Sequence, residues 1–149
     1  MSDHMKYAQT GKSLPISLLR TRELIMGNVR PMLARHDVTE QQWRVLRVVS
    51  ELGASDASTI SDQACILPPS LSRIFKTLIE KGYLHAVKNI SDGRRTVVDL
   101  SPAGHHFLDL VQPESTAIFD DLRDAVGHDR WEQLVALLSD IRQDLKANR

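Results

Sequence analysis

Residues 89–101 read NISDGRRTVVDLS. Ser91-Asp92-Gly93 is a tight-turn signal, and two adjacent arginines follow it. An alternating segment with Val98 and Leu100 comes next, so the stretch reads as a β-hairpin with Arg94 and Arg95 at its tip. Arginine suits a narrow, electronegative minor groove, and a short stiff turn makes both guanidiniums project. Asp92 can hold one of them by a charge-assisted hydrogen bond.

The helix expected just before this hairpin, about 69–81, carries Leu71, Ile74, Leu78 and Ile79 as its apolar stripe. Ser70, Ser72, Arg73, Lys76 and Thr77 avoid that stripe. Ser and Thr contact bases or phosphates, and Arg reads guanine O6 and N7. Gly82 ends the helix, and strands are expected at about 84–90 and 95–100. Upstream, Asp56 or Ser58 caps a short helix at about 58–65, with Ile60 and Ala64 facing inward. Pro68 and Pro69 block its continuation but suit the first turn of the next helix. A short helix, a tight turn, a second helix and a hairpin make a winged helix-turn-helix, whose second helix enters the DNA major groove.

Helices flank this unit on both sides. One runs from about 14 to 35, with Pro31 expected to kink it or end its regular part. Thr39-Glu40-Gln41-Gln42 is a capping box that starts the next, with Trp43, Leu46, Val49 and Leu52 at helical spacing before Gly53. Ser101-Pro102 opens a long helix in which Pro113 predicts a bend and Gly127 a break. Asp129 with Glu132 resembles a capping box for a last helix striped by Trp131, Leu134, Leu137, Leu138, Ile141 and Leu145. The terminal helices carry more apolar surface than a small winged domain covers, which points to a second copy. A dimer would set two recognition helices about a two-fold axis, matching a palindromic operator.

The bulk numbers agree. The 149 residues suit one domain and balance 19 basic against 19 acidic side chains. The balance is uneven: residues 69–101 hold 6 Lys and Arg against 3 Asp and Glu, whereas residues 102–149 hold 5 against 9. The positive centre suits a polyanion. The N-terminal stretch lacks a signal-peptide core, no apolar run approaches a bilayer span, and Cys65 is the single cysteine. A cytoplasmic protein without membrane contact is expected.

Competing chemistry is thin. Cys65, between Ala64 and Ile66 in a helical stretch, reads as a buried, inert thiol. His105-His106 with Asp109 hints at a metal, but adjacent histidines point apart on a helix. No phosphate loop, H-E-x-x-H motif or nucleophile elbow occurs, so no cofactor, metal or catalytic residue is expected. The alternatives are a redox response through Cys65, a small cysteine- or metal-dependent enzyme, and a winged module that does not bind DNA.

The whole arrangement resembles the MarR family of transcriptional regulators. The sharpest match is Asp92 to Gly104: Asp-x-Arg, a strand, Leu-Ser, then a small residue and Gly at a helix start. Leu18-Leu19-Arg20-Thr21-Arg22-Glu23, Arg30-Pro31, Val38 to Arg44 and Ala64 to Leu71 resemble one branch, the homoprotocatechuate-operon regulators. That branch would have arginine where this chain has Pro68, so an operator sequence is not carried over. The resemblance implies a mainly α fold with a small β-hairpin wing, in one domain over 1–149. It implies dimerisation helices at 14–35 and 102–147 and a winged helix-turn-helix lobe at 39–100. It further implies a repressor of an aromatic-acid catabolic operon, released by a small aromatic carboxylate bound where dimerisation helices meet each lobe. Arg20, Arg22, Arg44 and Arg47 are candidate carboxylate partners; helix-surface salt bridges are the equal alternative for each. His36 and Trp43 would line the pocket, with Cys65 and Ile66 near its floor.

Overall fold

The computed structural model describes residues 9–87 and 96–149 of the chain. The turn at Ser91-Asp92-Gly93 and the side chains of Arg94 and Arg95 lie outside the described residues. The chain divides into two compact units, residues 1–113 and 114–149.

In the first unit, a 3-10 turn at Thr10–Lys12 precedes α1, Leu14–Arg35. Ser13 caps α1, accepting a hydrogen bond from the Ile16 N–H. Pro31 does not end the helix, which continues to Arg35. The capping box forms as expected at the start of α2, Glu40–Leu52. Thr39 accepts from the Gln42 N–H, and Gln42 Oε1 accepts from the Thr39 N–H, each at 3.1 Å. Gly53 stops α2 at φ +76°, the left-handed region that glycine enters without strain.

Asp56 caps α3, Ala57–Ala64, through the Thr59 N–H. Cys65 closes α3 at φ +54° and is exposed, not buried. The expectation treated it as a residue inside a helix. A left-handed terminal residue instead turns its side chain off the packed face. Recognition-type helix α4, Pro68–Glu80, follows the two prolines. Its buried stripe is Leu71, Ile74, Phe75 and Leu78. Phe75 replaces Ile79, which is 40% exposed. Phe75 lies one residue after Ile74 and one turn from Leu71 and Leu78, so it completes the inward face.

Strands β1 (Ser55–Asp56), β2 (Leu84–Val87) and β3 (Val97–Leu100) form an antiparallel sheet in the order β1-β3-β2. The two-residue β1 was not expected; its Ser and Asp carry no strand signal, and it exists only by pairing with Val97 and Val98. Val98 and Leu100 alternate inward beside Leu84. The core beneath is formed by Val29, Met32, Leu33, Val45, Leu46, Val49 and Ile60, all essentially inaccessible. Each such side chain contributes about 1.5–3 kcal/mol by burial.

Helix α5, Pro102–Val126, begins where Ser101 Oγ accepts from the Gly104 N–H at 3.0 Å and donates to the Gly82 carbonyl. Pro113 lies inside α5, and the boundary between the units falls there. In the second unit, Gly127 at φ +101° separates α5 from α6, His128–Ala147. Gly127 is the N-cap, so Asp129 sits in the first turn and the expected Asp129–Glu132 box is not made. Phe119 meets Trp131 edge-on at 6.5 Å, and Arg123 lies 5.8 Å from the same ring. No residue of α6 is buried.

Gly104 is a tight point. A Cβ there would lie 2.2 Å from the Tyr83 carbonyl oxygen and 2.8 Å from Leu100 Cδ2. Gly104→Ala is therefore expected to cost about 1–3 kcal/mol, read as a lower thermal midpoint. An unchanged midpoint would show that α5 does not seat against this backbone.

Candidate functional site

Two sets of side chains stand out, one on α4 and one on α1 and α2. On α4, Pro69, Ser72, Arg73 and Lys76 are exposed and follow the i, i+3, i+4, i+7 spacing of one face. That face is opposite the buried stripe. Ser70 and Thr77 are half-buried at its margin. Ser72 Oγ donates to the Pro68 carbonyl and Thr77 Oγ1 to the Arg73 carbonyl, each at 3.2 Å. The outward charge of the described face thus comes from Arg73 and Lys76. Helix α3 braces α4 from behind, with Ser61 Oγ and the Ser61 carbonyl bonded to the backbone of Ile66 in the turn.

The second set is an ion cluster. Glu40, the first residue of α2, accepts from Arg22, from Arg30 at 3.1 and 3.2 Å, and from Arg44 at 3.4 Å. Arg30 also forms a fork with Glu23, at 2.8 and 2.9 Å. Three guanidiniums face two carboxylates, leaving one positive charge in excess. Glu40 is largely shielded, its side chain 14% exposed, while the arginines are 30–42% exposed. Partial burial, then the positive charges of Arg44 and Arg30, pull the Arg22 pKa below its ordinary value. The Arg30 fork holds the Glu23 carboxyl below the usual carboxylate range and raises Arg30 in turn. Glu23 therefore favours folding above that range, an effect lost as pH falls through its lowered value.

Arg44 Nη1 donates to the Ala64 carbonyl at 2.8 Å, tying α2 to the end of α3, and its Nε is buried without a partner. Beside the cluster a groove of about 640 Å³ opens between α1, the start of α2 and the end of α4. Arg30 and Glu40 form one wall, Thr77 and Lys81 another. Lys81 reaches across to the Asp37 carbonyl and carboxylate.

Of the predicted effector residues, the structure brings Arg22 and Arg44 together. Arg47 lies over the buried Trp43 ring, 4.9 Å from its centre. Arg20 donates to Thr10 at 3.3 Å. His36 meets Phe107 edge-on at 6.1 Å, Ile66 is buried and Cys65 is exposed. Sequence reasoning missed Glu23, Arg30 and Glu40. Their signal was the spacing of seven from Glu23 to Arg30, two turns on one face, and the placement of Glu40 at a capped helix start. Among the described residues no group of three potential metal ligands occurs, and no helix is long and apolar enough to cross a membrane.

The MarR family model matches residues 38–96. The HTH-type transcriptional regulator FarR of Neisseria gonorrhoeae is 32% identical over 129 residues, 87% of this chain and 88% of that protein. The homoprotocatechuate degradative operon repressor of Escherichia coli is 32% identical over 128 residues, 86% of each chain. The crystal structure of NadR in complex with 4-hydroxyphenylacetate superposes with a TM-score of 0.85 at 29% identity, covering 92% of this chain and all of that one.

The ion cluster carries a prediction. Glu40→Gln leaves three guanidiniums facing one another with a single carboxylate. The expected loss is about 1–3 kcal/mol, that of a partly buried charge left unpaired. Added salt should recover more of the melting temperature in the variant than in the parent. Equal salt responses would show that Glu40 is not the hub.

Proposed function

The chain belongs to the MarR family of transcriptional regulators, and from that premise we propose that it is a dimeric repressor released by a small aromatic carboxylate. The observation that carries this reading is the α4 face: Arg73 and Lys76 outward, Leu71, Ile74, Phe75 and Leu78 fixed inward. Phosphate contacts from Lys76 and Arg95 supply affinity, and Ser70, Ser72 and Arg73 select sequence, with Thr77 at the margin. Arg94, steadied by Asp92, enters the minor groove. The lobe spans 39–100, and the helices at 14–35 and 102–147 pair two copies. The unburied α6, with Leu134, Val135, Leu137 and Leu145 all exposed, supports that pairing. Two α4 helices about 34 Å apart would read half-sites of a palindrome about one helical turn apart. The protein works in the cytoplasm, on an operon for aromatic-acid catabolism.

NadR holds 4-hydroxyphenylacetate, and one relative represses a homoprotocatechuate degradative operon. An acid of that class suits the surplus positive charge of the Arg22, Arg30 and Arg44 cluster. Its carboxylate competes with Glu40 for Arg22 and Arg44, while the rings of Trp43 and His36 and the aliphatic side chain of Ile66 offer apolar surface. Release of DNA follows only if the ligand prefers the DNA-incompetent spacing of the two lobes.

Two measurements test this reading. In mobility shifts, Arg94→Ala and Arg73→Ala should each lose operator affinity with the dimer intact by sedimentation. Unchanged affinity would remove the wing or the α4 face, respectively, from the interface. In calorimetry with 4-hydroxyphenylacetate, Arg22→Ala or Arg44→Ala should weaken binding about tenfold or more, the value of a lost charged hydrogen bond. Parent-like binding by both would remove the cluster as effector site.

A further inference from the structure

The start of α4 differs from the starts of the helices before it. Ser13, Thr39 and Asp56 cap α1, α2 and α3 with side-chain oxygens. The N-cap of α4 is Leu67, which makes no side-chain hydrogen bond. Pro68 and Pro69 then occupy the first two helical positions. A helix start ordinarily offers unpaired N–H groups that attract phosphate. Two of them are missing here because proline has none. The Ser72 hydroxyl is turned back onto the Pro68 carbonyl.

What the tip presents is hydrocarbon. Leu67 is 76% exposed, and both proline rings are exposed. Pro69 shares its face with Ser72, Arg73 and Lys76, so the apolar tip leads the same surface that carries the cations behind it. A helix entering the major groove start-first brings the exposed Leu67 and Pro69 to the base edges ahead of Ser72, Arg73 and Lys76. There, one base carries a hydrocarbon group, the C5-methyl of thymine; the other edges are hydrogen-bonding groups that a leucine would desolvate without replacement.

Resting on the DNA-reading proposal above, we propose that Leu67 is a specificity-determining residue. Each operator half-site carries a thymine facing the start of α4, read through its C5-methyl against Leu67 with Pro69 as the flanking wall. The prolines forgo a phosphate anchor at this end of the helix, and Lys76 holds the backbone instead.

The test uses the full-length protein and duplexes it enriches from a random library. Deoxyuridine replaces each thymine in turn, which removes only the methyl group. Exchanged in both half-sites together, one symmetric pair of thymines should lose about sixteenfold in affinity, about fourfold for each buried methyl. Leu67→Ala should show a similar loss on the thymine duplex and no further loss on the uracil duplex. Because Leu67 is exposed, the variant should melt like the parent. A uracil exchange that is neutral everywhere, or a full uracil penalty retained by Leu67→Ala, overturns the assignment while leaving DNA reading intact. No enriched duplex at all overturns the DNA-reading proposal and this inference with it.

Discussion

The burial of one face of α4 is the constraint on which the rest depends. Leu71, Ile74, Phe75 and Leu78 are locked against the core, which fixes the rotation of the helix about its own axis. With that rotation fixed, Pro69, Ser72, Arg73 and Lys76 can only point outward. A helix free to roll would present a different set to a partner in each orientation and read no sequence. The neighbouring elements serve the same end. Asp56 caps α3 behind it, Ser61 ties down the turn, and the three-stranded sheet closes the far side through Leu84, Val98 and Leu100.

The ion cluster on α1 and α2 is a different kind of feature. Its net contribution to stability is small, because taking these charges partly out of water offsets much of their attraction, although removing Glu40 alone leaves guanidiniums without a partner. Its interest is its imbalance: three arginines around Glu40, with Glu23 as the second carboxylate. Arg44 also reaches the Ala64 carbonyl at the end of α3. Arg44 thus bridges Glu40 and the helix that braces α4. The groove beside it touches α4 directly at Thr77. Glu40 and α4 are thus linked by a short chain of contacts inside residues 1–113.

Much of this was legible in the sequence. Thr39 with Gln42, Gly53, Gly82 and the proline pair set element boundaries through local chemistry, and local chemistry is what a sequence displays. The inward alternation of Val98 and Leu100 was equally plain. What was not legible depended on the chain's return upon itself. Ser55-Asp56 becomes a strand only because β3 arrives beside it. Cys65 is exposed because α3 ends one residue earlier, in a left-handed turn that a cysteine does not announce. Gly127 preempted the Asp129–Glu132 signal by ending the break two residues sooner. The carboxylates of the ion cluster come from separate helices, so Arg22 and Arg44 could be named while Arg30 and the Glu40 hub could not. The apolar cap at Leu67 was visible as letters, and it took the exposure of that side chain to give it meaning.

The central claim is that α4 presents a sequence-selective surface to duplex DNA. The most direct measurement is fluorescence anisotropy of an enriched duplex and a scrambled one of equal length, titrated with the protein at several salt concentrations. Both affinities should fall with salt as phosphate contacts are screened, and the enriched duplex should bind about a thousandfold or more tightly throughout. Equal affinity for the two duplexes, or no salt-dependent binding to either, would contradict it.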